Sequence, residues 1–314
     1  MNGADQPLVI GTRGSVLARA QTEMVELALR TAWSDLATEI KIIKTSGDEG
    51  ARGTVEPLDR RAGRKGMFTA EIEQSMLGNE IDLAVHSAKD LPSEATPGLG
   101  IAAVLPRAPV EDVLIMKAPG NFVSLRSGAL VATGSVRRTY QLQAKRPDLR
   151  MANVRGNVPT RLRKLIESDW DALVLARAGL ERLGFEPICQ TVQFEGTKLF
   201  TELLPCDDFV PAGGQGVIAL QTRSEDEKTR QLVECVNHEE TFLCLRAERE
   251  FLRLLHGDCD SPVGVLATIE ANEMVLRAEF FEPESRIRHT GNVRGNSDQP
   301  ERLAAELTKQ INGR

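Results

Sequence analysis

Through roughly the first 220 residues, short runs rich in Val, Ile and Leu alternate with longer segments whose apolar positions recur at helical spacing. No other feature constrains the chain as strongly, because strands separated by helices join most readily through parallel crossovers and so build α/β layers around a largely parallel sheet. Candidate strands lie at residues 8–12, 39–44, 82–86, 130–133, 150–154 and 172–175, with helices at 16–31, 68–77, 136–146 and 160–167. The pattern changes near Ser224, where SEDEKTR opens a charged helical stretch running on through NHEETFLCLRAEREFLRLLHG, with Gly257 as its stop. Beyond it VGVLATIEANEMVLRAEFFEP alternates in strand fashion about a turn at 270–272, and AAELTKQING closes the chain as a helix. The last third therefore reads as a separate α+β unit.

Composition narrows the functional classes. A chain of 314 residues predicts two or three domains. No run of about 18 apolar residues is present to span a membrane. A net charge of -6 and 4% aromatic residues argue against general nucleic-acid binding, which needs basic surfaces and stacking platforms. The amino terminus shows no basic region followed by an apolar one, so the expected location is cytoplasmic. Five cysteines (Cys189, Cys206, Cys235, Cys244 and Cys259) without CxxC spacing fit a reducing compartment, and no His, Cys or acidic cluster has metal-ligand spacing.

Three times a strand is followed by a small or polar turn holding arginine and then by a helix: VIGTRGSVLARAQ, VATGSVRRTYQL and ANVRGNVPTRLRKL. Each places the N–H groups of a helix start beside a guanidinium, a ready site for carboxylate or phosphate. One such arginine could equally be a solvated first-turn residue, but three at strand carboxyl ends point to a multiply anionic small ligand.

Two further segments could carry chemistry. IDLAVHSAKDLPSE ends a strand in His86, Ser87, Lys89 and Asp90, where a carboxylate could accept N–H groups or stabilise a developing cation, or else simply cap a loop. His86 alone reads as a packed, hydrogen-bonded core residue. LLHGDCDSPVG puts Cys259 on a loop between Asp258 and Asp260, which disfavour the thiolate and so argue against an activated nucleophile; a bland loop cysteine or an attachment point for a covalently carried group remain. PAGGQGVIAL matches no nucleotide-binding pattern and marks a hinge or a close backbone approach.

Taken together these segments resemble the porphobilinogen deaminase family from about Leu8 to the carboxyl end. GTRGSVLARAQ, GRKGMFTAEIE, AVHSAKDLP, TGSVRRTYQL, RGNVPTRLRKL, LARAGLERLG, PAGGQGVIALQ, NHEETFLCLRAERE and GDCDSPVG follow in the family's order. The resemblance implies an enzyme that joins four porphobilinogen molecules head to tail, each losing ammonia, and releases 1-hydroxymethylbilane with water. It implies a dipyrromethane cofactor on a thioether to Cys259, with Asp90 as catalytic carboxylate. The positions that match the family's ligand-binding residues are Arg13, Ser15, Lys65, Ser87, Lys89, Thr133, Ser135, Arg137, Arg138, Arg155, Gly156, Arg161, Arg182 and Gln215.

The implied fold has two α/β domains like those of periplasmic binding proteins, 1–105 with 217–234 and 106–216, a ligand cleft between them, and a smaller α+β domain at 235–314. It also implies a monomer, with residues 49–65 as a covering segment. Departures from the family pattern are the acidic setting of Cys259, Arg64 and Ser46. The stretch 185–202 matches nothing and receives no functional reading. The competing readings are a two-domain clamp that binds a polycarboxylate without converting it, which would need neither Asp90 nor Cys259, and a paralogue without turnover.

Overall fold

The computed structural model describes residues 6–45, 69–256 and 261–313. Its elements begin with β1 (Leu8–Arg13), α1 (Val16–Ala32), β2 (Thr38–Ile43), α2 (Ala70–Leu77), β3 (Leu83–Ser87) and β4 (Leu99–Val104). Next come β5 (Asp112–Met116), β6 (Leu130–Ala132), α3 (Val136–Lys145), β7 (Arg150–Ala152), α4 (Val158–Glu167), β8 (Ala172–Ala176), α5 (Arg177–Glu181), β9 (Thr191–Phe194) and β10 (Thr197–Leu204). The chain closes with β11 (Ile218–Arg223), α6 (Glu227–Glu234), α7 (Glu239–Leu254), β12 (Val263–Glu270), β13 (Glu273–Phe281), β14 (Arg288–Asn296) and α8 (Pro300–Ile311). These elements fall into two compact units, Met1–Arg107 with Val217–Phe242, and Ala108–Gly216 with Leu243–Arg314.

The first unit holds a five-stranded sheet in the order β2-β1-β3-β11-β4. Alternation along the strands feeds two cores. Leu8, Ile10, Leu83 and Val85 face Val25 and Leu29 of α1 and Val233 of α6, whereas Val9 and Ala84 join Ile72 and Met76 of α2. Val25 and Leu29 are fully buried, each worth about 1.5–3 kcal/mol of transfer free energy, and Ser15 caps α1 by accepting from Ala18 N at 3.2 Å.

β2, β1, β3 and β4 all run the same way, as the alternation predicts, and β11 is reversed between β3 and β4. β11 returns to this sheet only after residues 108–216, and a strand re-entering at the carboxyl edge of β3 must run the other way.

A second sheet, β7-β6-β8-β5-β10-β9, forms the centre of the other unit. Here only the β6–β7 and β6–β8 pairs are parallel, and β5, β10 and β9 extend the sheet antiparallel. The stretch that matched nothing at 185–202 supplies β9 and most of β10, a hairpin turned by Glu195 and Gly196 at φ 48° and 78°. Leu162 and Leu165 of α4 pack on one face of the sheet and Leu142 of α3 on the other.

The same unit contains the antiparallel sheet β12-β13-β14 with α7 and α8 against it, joined at the expected turn by Ala271 and Asn272 in the left-handed region. β14 had no reading in the sequence because it packs through glycine. A Cβ on Gly291 would meet Leu307 of α8 at 2.7 Å, and one on Gly295 would meet Leu303 at 2.8 Å. The charged stretch after Ser224 is two helices rather than one, broken between Glu234 and Glu239, where His238 N donates to Val104 O at 2.9 Å. In GGQG, Gly213 is a close approach: its Cβ would lie 2.8 Å from Leu252 and 2.9 Å from Val265.

Candidate active site

In the first unit β1 ends at Arg13, Ser15 caps α1, and β3 ends at Ser87 before a single 3-10 turn, Ala88–Asp90. Arg13, Ser15, Gln21, Thr69, Ser87 and Asp90 line a recess of about 50 Å³. Gln21, which the sequence did not single out, donates from Nε2 to Ser87 Oγ at 2.9 Å. The turn is pinned by Ala88 N donating to Val217 O at 3.0 Å. Among the described residues no ion pair or hydrogen bond engages the Asp90 carboxylate, so it does not cap or bridge the loop there. Lys89 is half-buried on the same turn.

His86, next to Ser87 on β3, also lines the recess. It is buried, and its Nε2 lies 3.1 Å from Gln221 Oε1. Gln221 spends its Nε2 on Glu73 at 2.9 Å, so His86 Nε2 is the donor of that pair. This is the packed core histidine the sequence suggests.

In the second unit the strand ends of β6, β7 and β8 carry the remaining candidates. Thr133 is buried and accepts from Ser135 N at 3.2 Å, while Ser135 caps α3 by accepting from Arg138 N. Arg137 and Arg138, on the first turn of α3, are not solvated: they are 3% and 7% exposed and converge on the buried carboxylate of Asp112. Arg138 Nη2 lies 2.7 Å from Asp112 Oδ1 and Arg137 Nη1 lies 2.9 Å from Oδ2. Gln215 donates to the same Oδ1 at 2.9 Å and to Val110 O at 2.6 Å. Burial is the largest influence on Asp112 and would raise its pKa, but the two guanidinium charges outweigh it and hold the carboxyl well below the usual carboxylate range. Burial likewise lowers the pKa of Arg137, against the pull of Asp112.

At the end of β7, Gly156 sits at φ 114°, a conformation open to glycine, and its carbonyl accepts from Arg161 Nε at 2.6 Å. Asn157 caps α4 through Thr160 N at 2.9 Å. Arg155 is exposed, and its carbonyl accepts from Lys164 Nζ at 3.1 Å. After β8, Arg182 donates from Nη2 to Gly216 O at 2.6 Å, and burial lowers its pKa to about 10.

The structure thus joins Arg137, Arg138 and Gln215 at one carboxylate and sets Arg182 beside the same glycine turn. Asp112 itself was missed. As the first residue of an antiparallel strand, paired with Ala176 in register, it reaches the carboxyl edge of β8 from the other direction. Lys65, Cys259 and the segment 49–65 lie outside the described residues.

A dipyrromethane with its acidic side chains fits this donor set. The Nε atoms of Arg137, Arg138 and Arg182 are buried with no hydrogen-bond partner among the described residues, and anionic oxygens are the acceptors such donors lack. The fold and these residues define an α/β protein that gathers arginines at helix starts and, in its first unit, leaves the Asp90 carboxylate unengaged among the described residues.

Comparison with known proteins is specific. Residues 8–231 match the family model "Porphobilinogen deaminase, dipyromethane cofactor binding domain", and residues 242–313 match "Porphobilinogen deaminase, C-terminal domain". The porphobilinogen deaminase of Syntrophomonas wolfei is 40% identical over 97% of this chain and 94% of its own length. That of Roseiflexus sp. is 41% identical over 98% and 96%, and that of Geobacillus sp. 39% identical over 97% and 93%. The chain belongs to the porphobilinogen deaminase family, whose members are enzymes. Among solved structures, the Bordetella pertussis BvgS VFT2 domain aligns at 15% identity over 74% of this chain and 88% of its own, with a TM-score of 0.43. The methionine-binding protein MetQ aligns at 11% over 75% and 91%, with a TM-score of 0.42.

Proposed function

We propose that the protein is a hydroxymethylbilane synthase of tetrapyrrole biosynthesis, joining four porphobilinogen molecules head to tail with loss of ammonia and releasing 1-hydroxymethylbilane. The observation that carries this reading is the Asp90 carboxylate, unengaged among the described residues in a recess it shares with Arg13, Ser15 and Ser87. A carboxylate so placed can accept pyrrole N–H groups and offset the positive charge that develops when the substrate's aminomethyl C–N bond breaks. Arg13, Arg137, Arg138, Arg155 and Arg161 take up the acetate and propionate groups, helped by Arg182 and Lys65, with Ser15, Ser87, Lys89, Thr133, Ser135, the Gly156 turn and Gln215 near the ligand. A dipyrromethane held through a thioether to Cys259 supplies the primer to which the first unit is added. The same reading carries three domains (1–105 with 217–234, 106–216 and 235–314) and a cytoplasmic monomer. Among the described residues no helix is long and apolar enough to cross a membrane.

Asp90→Ala tests the central assignment. It should keep the fold and the covalently attached group while turnover falls by roughly two to four orders of magnitude. Wild-type ammonia release from porphobilinogen would remove Asp90 from the mechanism.

A further inference from the structure

We propose that Asp112 is a positioning residue for this reaction: its buried carboxylate holds Arg137, Arg138 and Gln215 in the one orientation in which they receive the ligand's carboxylates. The proposal rests on the reading of those three residues as ligand-binding. Asp112 is 1% exposed, and its oxygens meet Arg138, Gln215 and Arg137 at 2.7, 2.9 and 2.9 Å. Each partner is anchored a second time by the protein itself. Arg138 Nη1 donates to Val174 O at 3.2 Å, Arg137 Nη1 to Val210 O and Gln141 Oε1 at 2.9 Å, and Gln215 to Val110 O.

What Asp112 adds to these anchors is charge. Two guanidinium groups buried side by side repel in a medium where charges interact strongly, and one carboxylate between them both separates them and cancels one of their two charges. The trio keeps one net positive charge, and the Nε atoms of both arginines have no acceptor among the described residues. That combination suits one incoming carboxylate. The cluster also extends toward the β12–β14 sheet, since Gln141 Nε2 donates to the buried Glu279 at 2.6 Å and Glu279 pairs with Arg288. A residue whose work is orientation should act on ligand capture more than on the bond-making step.

The test compares Asp112→Asn, Asp112→Glu and Arg138→Gln with wild type, each followed by thermal unfolding, by intact mass to read the attached group, and by KM and kcat for porphobilinogen. Asp112→Asn should raise KM by about tenfold or more with kcat changed by less than about threefold, or, when the group fails to attach, give a folded protein of unmodified mass. Asp112→Glu, which keeps the charge, should recover part of that loss. If Arg138→Gln raises KM and the folded Asp112→Asn does not, the positioning role is wrong while the arginine reading stands. If neither changes KM or attachment, the arginine reading itself fails. If both Asp112 variants fail to fold, Asp112 serves stability alone and the proposal is overturned.

Discussion

Asp112 stays ionised because the guanidinium groups of Arg137 and Arg138 outweigh its burial, with the Gln215 amide as the third group facing it. A carboxyl whose pKa is lower folded than unfolded adds stability above its unfolded value of about 3.9, and that contribution is lost as pH falls below it. At neutral pH Asp112→Asn should therefore be less stable than wild type by about 3–5 kcal/mol, the usual effect of breaking a buried ion cluster. Melting temperatures taken from pH 7 to pH 3 should show that gap narrowing below about pH 4; a gap independent of pH would contradict the assignment. Asp90 and Arg13 were legible in the sequence because they sit where an apolar strand ends. Asp112 was not: in PVEDVLIM it looks like ordinary punctuation before a strand, and only pairing with distant residues gives it a role.

At the scale of elements, the strand–turn–helix units were readable. β1–α1, β6–α3 and β7–α4 each announce themselves by an apolar run, a capping Ser or Asn and helical spacing. The caps are specific: Ser135→Ala or Asn157→Ala should each cost about 1 kcal/mol in urea unfolding, with no change in the slope of the transition. An effect below a few tenths would show that the cap bonds to Arg138 N and Thr160 N contribute nothing. The arginines of the third unit carry a separate expectation, that Arg155→Ala or Arg161→Ala stalls chain growth. Intact mass after a limiting dose of porphobilinogen should then show partly extended species persisting, and wild-type kinetics with normal intermediates would withdraw both residues. β4, β5 and β11 escaped the sequence reading for a different reason from β14. Their apolar runs are visible, but strand direction and neighbours depend on where the chain returns, which local periodicity does not encode.

For the whole molecule, each unit has its own core, and the chain passes from one to the other after Arg107, after Gly216 and after Phe242. A net charge of -6 on a protein that gathers arginines at strand ends is the distribution expected for capture of a small polyanion rather than a nucleic acid, whose long backbone needs a broad basic face. The ordered motifs that suggested the family in the sequence are carried by family models across residues 8–231 and 242–313. Cys259, on which the proposed covalent chemistry rests, is assigned that role only through the resemblance, since a cysteine between two aspartates has no physical mark of reactivity. The most direct measurement is therefore the intact mass, under denaturing conditions, of the wild type and of Cys259→Ser. The wild type should exceed its sequence mass by two pyrrole units and the variant should not. An unmodified wild-type mass that persists after incubation with porphobilinogen, with no ammonia released, would contradict the assignment.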